Sequence, residues 1–195
     1  PVITSTLSPT NICTNDVGTI NVSGGTLASA NYSFSFVSGK LSVGKVSVTI
    51  TADNKSRLYG QSNPTFTAAF NGFVNGESLA TSGVSGAPDL TTIANELSAV
   101  GTYPINSAIG TLKSSNYSFS FVAGSLTVGK SVIIVTAENK SRIYGDANPQ
   151  WTYNYNGFKN GETLATSGIA GIPVFTTDAD LLSAVGTYPI KISSG

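Results

Sequence analysis

The sequence predicts a mainly β protein, built as tandem small β-sandwich or β-grasp-like units joined end to end, with at most one short helical turn per unit. Three observations predict it. Short stretches alternate apolar with polar residues, the period-2 pattern of a half-buried strand. Asn-Gly and Asn-Pro dipeptides punctuate those stretches at fixed places. The chain also restates itself at one constant offset: NYSFSFVSGKLSVGK at residues 31–45 returns as NYSFSFVAGSLTVGK at 116–130, and NKSRLYG at 54–60 returns as NKSRIYG at 139–145. NGFVNGE at 71–77 returns as NGFKNGE at 156–162, and LSAVGTYPI at 97–105 recurs unchanged at 182–190. Self-similarity of this kind marks a repeat array.

The repeat sets the expected domain boundaries. Residues 46–130 make one complete repeat, 131–195 a following repeat that stops short of its last hairpin, and 1–45 the C-terminal part of a preceding repeat. In that first part PVIT at Pro1 resembles PVFT at Pro173, and Val17-Gly18-Thr19 matches Val100-Gly101-Thr102. The chain is therefore expected to be a window on a longer polypeptide. Without the counterpart of 116–128, the last unit is expected to expose apolar core and strand edges.

Within one repeat the elements follow in order. Val48, Ile50 and Ala52 alternate with Ser47, Thr49 and Thr51, which predicts a strand; Ile133, Val135 and Ala137 keep the pattern, while Ile134 puts an apolar group on the outer face. Asn63-Pro64, Asn71-Gly72 and Asn75-Gly76, with their partners in the second copy, predict turns. The run ESLATS at 77–82 is compatible with one helical turn, Glu77 lying near its positive end. Pro104 and Pro189 interrupt the strand-like GTYPI and predict an edge strand, where a missing donor is tolerated. Tyr32, Phe34 and Phe36, then Gly39, Leu41 and Val43, read as a hairpin that Tyr117 to Val128 repeat. Each unit then holds roughly seven or eight strands.

Composition excludes several function classes. The 195 residues carry 10 basic and 10 acidic side chains and no His, so the surface is neutral and hydroxyl-rich. Nucleic acid asks for a basic stripe and an anionic membrane for clustered Lys or Arg; neither partner is supported. The longest apolar run, residues 132–135, is far below the roughly 18 residues of a membrane-spanning helix, so no direct membrane insertion is expected. Cys13 is the only cysteine, which rules out an internal disulfide or a cysteine-based zinc site, and it reads as a small buried residue. Glu77 and Glu162 supply one acid per unit without a nearby second carboxylate, and no nucleophile has an identifiable base. Asp178 and Asp180 share a calcium-loop spacing, yet Ile93 and Asn95 stand in their places in the other copy. No enzyme, cofactor or metal site is expected.

One recurring polar cluster remains: Lys55, Arg57 and Tyr59, matched by Lys140, Arg142 and Tyr144. On an extended strand all three side chains leave one face. Tyr would offer a sugar a flat face and Arg a fork of donors. The competing reading makes Tyr59 pack under the Asn63-Pro64 turn, with Lys55 and Arg57 pairing with Glu77 or with the next unit.

The strings VTITADNKSRLYGQSNPTFT, NGFVNGE, PDLTT, VGTYPI and NYSFSFVAGSLTV resemble the mostly-beta, glycine-rich (MBG) tandem repeats of very large bacterial surface and secreted adhesin-like proteins. The resemblance covers residues 46–130 and the retained parts of the flanking units. It implies an extracellular or bacterial cell-surface setting and a role in adhesion, biofilm or surface filaments, and it carries over no catalytic residue. The expected function is a structural and adhesive stalk whose partners are the neighbouring repeats of the same chain. The alternatives are a module binding glycan or mucin through repeated weak contacts, and a spacer within a secreted enzyme.

Overall fold

The computed structural model describes residues 2–5 and 17–195; the side chains of residues 1–19, and Cys13 with its expected burial, lie outside the description. The fold is all-β. Three strands, β1 (Val2–Ser5), β2 (Val17–Ser23) and β3 (Gly39–Ser42), form an antiparallel sheet in the order β1-β2-β3. The complete repeat supplies β4 (Val46–Ala52), β5 (Lys55–Leu58), β6 (Ala68–Asn71), β7 (Asp89–Thr91), β8 (Gly101–Ala108), β9 (Tyr117–Val122) and β10 (Gly124–Gly129). These make a three-stranded sheet of order β6-β4-β9 and a four-stranded sheet of order β5-β10-β8-β7. The second repeat supplies β11 (Ile134–Ala137), β12 (Tyr153–Asn156), β13 (Val174–Thr176) and β14 (Lys191–Ser193), paired as β11-β12 and β13-β14.

The backbone divides into two compact units. Pro1–Lys55, Thr65–Ile93 and Tyr103–Leu126 form one; Ser56–Pro64, Ala94–Thr102 and Thr127–Gly195 form the other. The YG loop and the 94–102 segment of the first repeat thus fold together with the second repeat.

In the first unit the alternation of β4 has the consequence its sequence dictates: Val48, Ile50 and Ala52 are buried while the residues between them are not. Val48 and Ile50 pack with Leu112 and Tyr117, and Phe70, Phe73, Val84, Phe119 and Phe121 close the cluster. Phe73 meets Tyr117 edge to face, with ring centroids 5.3 Å apart, a geometry that adds a favourable quadrupole term to the area buried.

Two sequence expectations are corrected. Residues 117–128 are not a hairpin. β9 pairs in parallel with β4, from Val46↔Tyr117 to Thr51↔Val122, whereas β10 belongs to the other sheet between β5 and β8. The chain changes sheets at Gly124, where a Cβ would run into the Ala52 carbonyl, so a side chain there would block the crossing. The GTYPI strand is likewise not an edge. β8 lies inside its sheet, and Pro104 is tolerated because three-residue β7 pairs only Asn106–Ala108, leaving the proline beyond its reach. The ESLATS run makes a single turn, with Ser82 N donating to the Ser78 carbonyl at 2.8 Å, and no helix follows.

The second repeat keeps the same registers. Val135↔Tyr155 repeats Ile50↔Phe70, and Phe175↔Ile192 repeats Leu90↔Ser107. The counterparts of β5 and of the first half of β8, at 140–143 and 186–190, are not strands. In the first repeat β5 and β8 both pair with β10, and the described residues hold no second-repeat counterpart of β10. The core positions Ile133, Val135 and Ala137 are correspondingly only half-buried.

Candidate functional site

The two NKSR-x-YG segments close by the same set of hydrogen bonds. Arg57, at the end of β5, donates through Nε to Asn63 Oδ1 at 2.7 Å, through Nη1 to the Leu58 carbonyl at 3.3 Å and through Nη2 to the Asn95 carbonyl. Asn63 Nδ2 then donates to the Ala94 carbonyl at 2.7 Å. Gln61 Oε1 accepts from Leu58 N at 2.8 Å, and Gly60 adopts the left-handed φ of 78° that the turn requires. Arg57 is 6% exposed. Its fork of donors is spent on the protein's own acceptors, which is how a buried cation is tolerated.

Arg142 repeats this clamp. Its Nε donates to Asn148 Oδ1 at 2.9 Å, its Nη2 to the Asp180 carbonyl, and Asn148 Nδ2 donates to the Ala179 carbonyl at 2.8 Å. The conspicuous Asn-Pro of each loop is therefore one half of an Arg–Asn clamp that holds the YG loop to a segment far along the chain.

The tyrosines differ. Tyr59 donates to Glu162 Oε1 at 2.6 Å. Glu162 follows the left-handed pair Asn160 and Gly161, with φ of 53° and 73°, and this tight turn aims its carboxylate. Beside it, Asn160 Nδ2 donates to the Glu96 carbonyl at 3.2 Å. The YG loop of one repeat and the NGE turn of the next are thus joined by side-chain hydrogen bonds. Tyr144 is 62% exposed.

The expected pairing of Lys55 and Arg57 with Glu77 does not occur. Glu77 instead accepts from Tyr117 at 2.5 Å, and the Tyr117 hydroxyl accepts from Val74 N at 3.3 Å. The hydrogen bond to the glutamate, followed by burial, raises the Tyr117 phenol above its ordinary range. Lys55 is half-buried on β5. Lys140 lies 3.3 Å from Glu138, whose carboxylate also accepts from Thr152 Oγ1 at 2.5 Å. The Thr152 hydrogen bond, then Lys140, holds the Glu138 carboxyl below the usual range.

Lys140, Arg142 and Tyr144 share a cleft of about 570 Å³ with Trp151, Val185 and Tyr188. Of the first trio, Arg57 alone lines a shallow hollow, beside Gly60, Gln61 and Glu96. The cleft has a structural origin. Its two walls, 140–144 and 186–190, are the counterparts of the chains that flank β10 in the first repeat, so it corresponds to the position of one strand.

The profile of the MBG domain (YGX type) matches residues 48–127 and 133–195. The chain belongs to that family. Its two MBG matches abut and make the chain a tandem repeat module, and the Tyr-Gly pairs lie in the clamped loops just described. No curated protein matches the chain, and no solved structure matches it. Sequence reasoning overlooked Asn63, Asn148, Glu162 and Tyr117 as the partners that give the MBG loops and turns their form. The signal for the clamp was present: an Asn six residues after the Arg in both copies.

Proposed function

We propose that this MBG segment is a structural and adhesive stalk of a bacterial cell-surface or secreted adhesin, one that spaces other parts of the protein and performs no catalysis. The observation that carries the reading is the pair of hydrogen bonds from Tyr59 to Glu162 and from Asn160 to Glu96, which lock one repeat to the next beyond the short covalent link. A loop whose cation and tyrosine are both spent on the protein's own groups is built as a joint. Repetition then multiplies joints, and reach grows with repeat number.

The exposure of Tyr144, unlike its partnered twin Tyr59, favours a second reading, a glycan or mucin contact with Tyr144 as the sugar platform beside Lys140 and Arg142. The two readings separate on a glycan and mucin array probed with the intact chain. The stalk reading expects no saturable binding, together with a broadened distance distribution in small-angle scattering when Tyr59→Phe and Asn160→Ala are combined. Saturable binding that disappears in Lys140→Ala/Tyr144→Ala with an unchanged β spectrum would overturn it in favour of recognition.

A further inference from the structure

Three consecutive carbonyls run through the joint between the repeats. The Asn63 amide, itself held by Arg57 Nε at 2.7 Å, donates to the Ala94 carbonyl at 2.7 Å. Arg57 Nη2 donates to the next carbonyl, that of Asn95. The third, that of Glu96, is left to the following repeat, where it accepts from Asn160 Nδ2 at 3.2 Å. The clamp therefore fixes the segment that presents this acceptor. Arg57 and Tyr59 belong to one loop, so the clamp also fixes the phenol that donates to Glu162.

A third contact completes the joint. Gly60 passes so close to Lys159 that a Cβ on it would overlap the Lys159 Cβ, whereas Gly145, its counterpart with a similar left-handed φ of 88°, has open space in that direction. The glycine of the first YG pair thus serves both its own turn and the approach of the next repeat. Tyr59, Gly60 and the Glu96 carbonyl meet Glu162, Lys159 and Asn160 respectively. A donor faces an acceptor, bare backbone faces a side-chain stem, and an acceptor faces a donor. Three unlike contacts admit one orientation.

Each half is shaped by its own repeat. Asn75 and Gly76 hold φ of 56° and 72° where Asn160 and Gly161 hold 53° and 73°, so the NGE turn has one form in both copies. Asn148 and Arg142 hold the Ala179 and Asp180 carbonyls as Asn63 and Arg57 hold those of Ala94 and Asn95. Preformed halves lose less conformational freedom on docking. We infer that the Arg–Asn clamp is the positioning device of a socket, built from the YG loop and residues 94–96, whose partner is the NGE turn of the following repeat. Arg57 and Asn63 are positioning residues: they act on the turn through Tyr59 and the Glu96 carbonyl. The inference rests on the joint of the stalk reading and adds what specifies it, namely the acid of the turn, its left-handed Asn and the side-chain stem before that Asn.

The test is a double-mutant cycle of Tyr59→Phe and Glu162→Gln in the full chain, run in the native background and again with Asn63→Asp. That substitution keeps an acceptor for Arg57 Nε and removes the donor to the Ala94 carbonyl. A coupling factor of about two to five in the unfolding equilibrium constant should fall to about one. The side-chain amide of Asn160, followed by NMR, reports on the second contact. Its signals should move in Asn63→Asp and in Gly60→Ala and stay in place in Asn148→Asp and Gly145→Ala, which make the same charge change and the same backbone strain in the second repeat's own loop. Coupling that survives Asn63→Asp, Asn160 signals that stay in place, or matched controls that move them equally would each overturn the inference while leaving the joint standing. Absence of coupling in the native background would instead remove the joint, and the stalk reading with it.

Discussion

Tyr59 and Glu162, separated by 103 residues in sequence, share a hydrogen bond of 2.6 Å. A phenol meeting a carboxylate in this way makes a charge-assisted bond, stronger than a neutral pair and weakened by the water around a half-buried tyrosine. A double-mutant cycle of Tyr59→Phe and Glu162→Gln should therefore return a coupling of about 0.5–1 kcal/mol. Additive single effects in urea unfolding would show that the pair does not hold the repeats together.

The Arg–Asn clamps should differ in weight although their geometry is the same. Arg57 is buried and Arg142 is more exposed, so the acceptors around Arg57 have less access to replacement water. Arg57→Lys loses the fork and leaves the Asn63 side chain and the Asn95 carbonyl short of donors, a cost of about 2 kcal/mol. Arg142→Lys should cost about half that. Denaturant midpoints of the two variants check the ranking.

Burial ranks the core in the same manner. Ile50 is fully buried, and Ile50→Ala should cost about 2–5 kcal/mol through lost transfer energy and the cavity left behind. Val135, its counterpart, already borders a cavity, so Val135→Ala should cost about 1 kcal/mol or less. Equal losses in thermal unfolding would contradict the open core of the second repeat.

Two groups make stability depend on pH at opposite ends. The Tyr117 phenol is raised in the folded state, chiefly by its hydrogen bond to Glu77. Its contribution is complete below the ordinary tyrosine range near pH 10 and disappears as pH climbs through the folded value. Glu138 is lowered, chiefly by Thr152, so its contribution is present above the ordinary carboxyl range and is lost as pH falls through the folded value. Tyr117→Phe should flatten the alkaline limb of a stability–pH profile and Thr152→Val the acid limb; an unchanged limb would refute the corresponding assignment.

Strand positions and turns were legible in the sequence because they are local. The alternation of residues 46–52 determined which side chains β4 buries, and Asn75-Gly76 and Asn160-Gly161 adopted the left-handed backbone their chemistry favours. Partner choice was not legible. Residues 117–122 and 124–129 look like a hairpin because they are adjacent and divided by a glycine, yet each finds its neighbours in a different sheet, at β4 on one side and at β5 and β8 on the other. Pro104 misled for a related reason: what tolerates it is the shortness of β7, a property of another segment. The polar cluster was visible as residue types, but whether Arg57 faces a ligand or Asn63 depends on how the loop folds back.

The parallel pairing of β4 with β9 bears on how a complete repeat carries load. β4 runs from Val46 to Ala52 and β9 from Tyr117 to Val122, both in the same direction. Tension applied at the start of β4 and the end of β9 slides the paired strands lengthwise, so their hydrogen bonds are strained together and must rupture together. An antiparallel pair pulled from one end would open like a zip, one bond at a time. A tether made of such repeats resists flow by its topology, and its lifetime under force is set by the height of that single collective barrier.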